Sequence, residues 1–139
     1  MTRIDFLAVN DASPEARLHL AARLTQRALR EGRRILIACT DAGQQATLDS
    51  LLWTFEPESF IPHATDIADP QSPVTLCTGE ECGDHHDVLI NLQSPAPAFF
   101  SRFERLFEVI CQDPSILSST RANWAYYKSR GYPLDYKTV

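Results

Sequence analysis

Ile35-Leu36-Ile37-Ala38-Cys39 is an unbroken apolar run, bounded by Arg33-Arg34 before it and Thr40-Asp41 after it. A strand with one face in water alternates apolar and polar side chains. This run does not alternate, which predicts burial on both faces, as in a parallel sheet covered by helices. Toward the N-terminus, Gly32 stands where a left-handed helix cap belongs, and Leu18, Ala21, Leu24 and Ala28 recur at helical spacing before it. Ser13-Pro14-Glu15 supplies an N-cap, a first-turn proline and an early acid, so a helix runs to about Glu31. Ile4 to Val9 reads as a strand. The three pieces form a βαβ unit, because parallel strands need a crossover of this kind.

Toward the C-terminus, Leu48, Leu51 and Leu52 give a second helix over Ala42 to Trp53, ended by the proline-bearing segment that includes Pro57 and Pro62. Asp66 to Pro73 is a polar connector, and Val74 to Cys77 and Val88 to Leu92 are short strands. Phe99, Phe100, Phe103, Leu106, Phe107 and Ile110 predict an amphipathic helix, and Asp113-Pro114 caps a last helix ending at Gly131. The expected fold is a single α/β domain over residues 1–139, a doubly wound, mostly parallel sheet flanked by helices and Rossmann-like in pattern.

No apolar run approaches the length of a membrane span and no signal pattern opens the chain, which predicts a cytoplasmic protein. Cys39, Cys77, Cys82 and Cys111 are expected to be reduced, mostly structural thiols, Cys39 ending a strand and Cys111 a helix. The net charge of −5 argues against a protein that grips nucleic acid by its phosphates. The charge is uneven: residues 1–114 carry nine Lys or Arg against seventeen Asp or Glu, and residues 115–139 carry four against one. A small basic end on an acidic body suits a short acidic peptide better than a duplex.

Phosphate binding on a doubly wound sheet needs a glycine-rich turn after a strand. Asn10-Asp11-Ala12-Ser13-Pro14 has no glycine, and Thr40-Asp41-Ala42-Gly43 carries an acid and no Gly-Lys-Ser/Thr element, so no nucleotide cofactor is expected. Cys77, Cys82, His85 and His86 have the donor types of a zinc site but poor spacing, and the reading preferred is a solvated, hairpin-like loop without metal. Cys39 with His63, or Ser59 with His63, lacks any supporting catalytic motif, and His63 reads as a structural partner of the loop around it.

Two constellations suit protein partners. Trp53, Phe55, Phe60 and Ile61 stand where helical patterning has stopped, and large apolar side chains in such a loop suit an interface centre as well as a core. Leu117, Arg121, Trp124 and Lys128 fall at i, i+4, i+7 and i+11 on one helical face. That face offers a guanidinium fork, an ammonium and an aromatic platform to an acidic peptide ending in an aromatic ring.

The run Leu48-Asp49, Leu52-Trp53, Phe55, Ser59-Phe60-Ile61-Pro62-His63 resembles the chi subunit of bacterial DNA polymerase III holoenzyme. The likeness extends to Ile4 to Leu7, Gly32 to Cys39, Asp87 to Leu92 and the helix ending Tyr126 to Tyr132. The resemblance implies a non-catalytic adaptor without cofactor or metal, part of the clamp-loader assembly. It implies that the last helix binds the acidic, Phe-terminated tail of single-stranded DNA-binding protein, with Arg121 at the tail-binding arginine and Trp124 where many members have tyrosine. Leu117 replaces a basic residue of familiar members. Trp53 and Phe60 fall on positions implicated in binding the psi subunit, so DNA contact would be indirect. The alternative is a small α/β nucleotide-binding or hydrolytic enzyme without recognisable motifs.

Overall fold

The computed structural model describes residues 1–54, 61–67 and 72–139. Its strands are β1 (Arg3–Ala8), β2 (Ile35–Ala38), β3 (Val74–Cys77), β4 (Val88–Asn91), β5 (Arg105–Ile110) and β6 (Leu134–Thr138). They form one sheet in the order β3-β2-β4-β5-β1-β6, and every pairing is parallel. The helices are α1 (Pro14–Arg30), α2 (Ala42–Thr54) and α3 (Pro114–Ser129).

The run that predicted a buried strand is buried throughout, and its side chains divide between two cores. Ile35 and Ile37 join Leu18, Ala21 and Leu48 on the side of α1 and α2, while Leu36 and Ala38 join Phe6, Leu106 and Tyr127 on the side of α3. Helices on both faces remove the need for alternation. Ser13 caps α1 by accepting from the Ala16 N–H at 3.1 Å, and Gly32 takes φ +77° after it, a conformation that favours glycine. Asp113 caps α3 by accepting from the Ser115 N–H at 2.8 Å, and Gly131 follows the helix with φ +85°.

Three expectations are corrected. The helix expected over Phe99 to Ile110 is a short 3₁₀ turn, Phe100–Arg102, followed by β5 between β4 and β1. Cys111 therefore follows a strand, not a helix. The Cys77 to His86 segment is a largely exposed loop, as expected, but not a hairpin: it joins strands separated by β2, and Cys77, Cys82 and His85 turn inward and are buried. Strands running in the same direction cannot be joined by a tight turn, so this connection crosses past β2. β6, which no pattern in the sequence predicted, forms the edge beside β1.

Candidate functional site

α3 is held to the sheet by a polar anchor. Glu108 on β5 is buried and accepts from Tyr127 Oη at 2.5 Å, Asn91 Nδ2 at 2.8 Å and Asn123 Nδ2 at 3.4 Å. Burial outweighs these three donors and pushes the Glu108 carboxyl up to about 7. Beside the anchor, Phe6 takes Trp124 and Tyr127 edge-on, with ring centroids 5.0 and 6.0 Å away. The side of the helix opposite Asn123 and Tyr127, with Ser118, Ala122, Ala125 and Ser129, is exposed to solvent.

On the flank between the buried and the exposed sides, Arg121 and Lys128 are exposed, while Leu117 and Trp124 are half-buried and pack against the core. Neither cation has a carboxylate partner among the described residues. Trp124 thus lies with part of its ring on Phe6 and part in solvent, one helical turn from each cation. The arrangement leaves two positive charges and an apolar ring available together, the chemistry that recognises a carboxylate-bearing peptide with an aromatic side chain.

The second expected surface begins at the end of α2. Asp49 and Trp53 are one turn apart on the helix, and His63 closes against both: its Nε2 lies 2.8 Å from Asp49 Oδ1 and its ring 4.4 Å from that of Trp53. His63 Nδ1 lies 2.6 Å from the Ile61 carbonyl, and Ala64 pairs with the outer edge of β3 through Ala64 N to Val74 O at 2.9 Å. These bonds fix the returning chain under Trp53, which remains 45 % exposed. Ile61 is not part of that surface: at 1 % exposure it lies in the core with Leu48, Leu52 and Leu76. An aliphatic side chain with no polar group gains ~1.5–3 kcal/mol from such burial. Phe55 and Phe60, and Ser59 of the catalytic alternative, lie outside the described residues.

Other sequence candidates have structural roles. Cys39 is buried, its thiol pushed up to about 12 chiefly by desolvation, which suits neither a nucleophile nor a metal ligand. Both ring nitrogens of His63 are engaged by Ile61 and Asp49 rather than by Cys39. His85 Nε2 lies 3.1 Å from Thr75 Oγ1, and no group of three or more His, Cys, Asp or Glu side chains among the described residues converges on a possible metal position. At the helix N-termini where a phosphate would bind, the chain supplies its own carboxylates. Asp11 Oδ1 accepts from the Ser13 N–H at 2.7 Å and Asp41 Oδ1 from the Gln44 N–H at 2.8 Å.

The model of the family described as DNA polymerase III chi subunit, HolC, matches residues 1–135. A DNA polymerase III subunit chi from Pseudomonas aeruginosa is 42% identical over 135 residues, covering 97% of this chain and 95% of the relative. The subunit chi of Escherichia coli is 30% identical over 112 residues, 78% of this chain and 76% of the relative. That of Haemophilus influenzae is 26% identical over 123 residues, 86% of this chain and 85% of the relative.

Proposed function

From the premise that this chain belongs to the DNA polymerase III chi subunit family, and so is an accessory subunit of the replicative polymerase, we propose that it is a non-catalytic, cytoplasmic bridge between two protein partners. One partner is the psi subunit of the clamp-loader complex, docked on Trp53 with Phe60 and Phe55. The other is the acidic C-terminal tail of single-stranded DNA-binding protein, docked on Leu117, Arg121, Trp124 and Lys128. The observation that carries the reading is one flank of α3, where two exposed cations without carboxylate partners among the described residues stand on either side of a half-buried indole.

The roles differ by chemistry. Arg121 presents a planar fork to a terminal or side-chain carboxylate, Lys128 adds a point charge, and Trp124 with the apolar part of Leu117 receives the terminal ring. Trp53 is backed by a histidine whose ring is fixed at both nitrogens, so it meets a partner without first losing much side-chain freedom.

Titration with a fluorescent tail peptide tests the reading. Arg121→Ala removes most of the affinity, about tenfold or more, Trp124→Ala is comparable and Lys128→Ala milder, since charge-assisted forks exceed exposed point charges. Unchanged affinity in folded Arg121→Ala removes the tail from α3. In the same format, thermal stabilisation by the tail peptide but not by nucleotides separates the adaptor from the enzyme alternative.

A further inference from the structure

On the side of the sheet away from α3, α1 leaves part of the outer strands uncovered, and a groove of about 540 Å³ opens between α1 and strands β5, β1 and β6. Leu7, Leu24 and Phe107 give it an apolar surface, and Arg3, Arg23, Arg27, Arg33, Arg105 and Lys137 line it. Among the described residues, Asp5, Glu31 and Glu104 supply the side-chain carboxylates that line it with them, on a protein whose overall charge is −5. Most of the cations are occupied. Arg27 faces Glu31 at 3.9 Å, Arg33 bonds Asp87 at 2.8 Å, and Arg3 and Arg105 share Asp5 Oδ2 at 3.7 and 3.3 Å. Arg23 and Lys137 are exposed and have no carboxylate partner among the described residues.

The floor holds a second, independent observation. The Asp5 side chain is 4% exposed, yet its Oδ1 has no hydrogen-bond partner, and neither has the buried Arg105 Nε. Buried polar atoms are ordinarily paired, and these two belong to one ion pair closed to solvent, so an occupant reaches them by drawing the Arg105 guanidinium outward. The Arg105 guanidinium meanwhile lies 4.7 Å from the centre of the Phe107 ring, which holds it over the apolar floor.

We propose that this groove binds a short acidic peptide segment of a partner protein, at a site distinct from α3 and on the opposite side of the sheet. A peptide backbone carries both donors and acceptors, so it engages Asp5 and Arg105 as that pair opens. Its aspartate or glutamate side chains meet Arg23 and Lys137, and an apolar side chain fills the floor. A phosphodiester chain presents acceptors only along its backbone, and the acidic body repels a long polyanion. The volume lies within the ~300–1,000 Å³ of ordinary ligand pockets, room for a few side chains rather than for a folded surface.

The probe is a fluorescein-labelled peptide alternating aspartate with leucine or phenylalanine, titrated by anisotropy into the full chain carrying Arg121→Ala, which silences α3. Saturable binding is expected in that background, weakened about tenfold or more by Arg23→Glu with Lys137→Glu, because like charges then face the peptide. Arg23→Gln with Lys137→Gln weakens it less and guards against a folding defect, with circular dichroism as the check. Absence of saturable binding, or binding indifferent to both pairs, overturns the proposal. A mixed-sequence single-stranded oligonucleotide that displaces the peptide and depends equally on Arg23 and Lys137 also overturns it, assigning the groove to nucleic acid. Because the background lacks Arg121, failure here leaves the tail-binding role of α3 standing.

Discussion

Glu108 is a carboxylate kept inside a core, and its proton is tied to folding. The folded carboxyl is raised to about 7 by burial, whereas an unfolded glutamate titrates near ~4.3. The folded state therefore binds a proton that the unfolded state has released between those values, so stability is fully present below ~4.3 and is lost as pH rises through about 7. Urea midpoints are expected to fall from pH 5 to pH 8, and Glu108→Gln, which stays neutral, is expected to flatten that part of the slope. Parallel slopes for the two proteins would place the pH dependence elsewhere. Trp53 is the opposite kind of residue, half in solvent and backed by His63. Trp53→Ala should leave the unfolding free energy within about 1 kcal/mol of wild type while weakening psi binding by ~2 kcal/mol, measured by calorimetry. Unfolding of the variant would make the indole part of the core.

Among the elements, the ones that the sequence displayed openly were those whose local chemistry agreed with their surroundings. α1 and α3 carry caps at both ends, Ser13 and Asp113 before them and Gly32 and Gly131 after, and β2 is apolar because both its faces are covered. β5 was hidden for the same reason that β2 was visible. Arg105 to Ile110 is buried on both faces and does not alternate cleanly, and with the phenylalanines before it the run fits helical spacing equally well. In a helix Glu108 falls opposite those apolar positions, whereas in β5 it points inward and anchors α3. β6 was obscured by exposure: an edge strand carrying Asp135 and Lys137 looks like a tail, although Leu134 and Tyr136 alternate with them. The faces of α3 were legible from spacing alone, but which of its residues would be anchored by Glu108 depended on β5. Leu117 stands on α3 one turn before Arg121 and is half-buried. Leu117→Lys keeps an aliphatic stem on the core while its ammonium reaches solvent. Affinity for the tail peptide is expected to rise about threefold at low salt and to depend more steeply on salt than in wild type. No gain at low salt would mean that the peptide does not extend along that turn.

Across the whole molecule, the charge asymmetry along the chain becomes an asymmetry between faces. The basic C-terminal portion divides, Arg121 and Lys128 on one flank of α3 and Lys137 in the groove beside α1. Trp53 belongs to neither place, standing at the end of α2. A bridging subunit requires this separation, since two partners engage together only if their sites do not overlap. Single-stranded DNA-binding protein is immobilised, the chain is passed over it, and psi is added, with mass retained at each step read optically. Wild type is expected to be captured and then to capture psi; Trp53→Ala is captured but takes up little psi; Arg121→Ala is not captured. Psi that displaces the chain from the immobilised protein, or capture that survives in Arg121→Ala and fails in Trp53→Ala, would contradict the two-sided bridge.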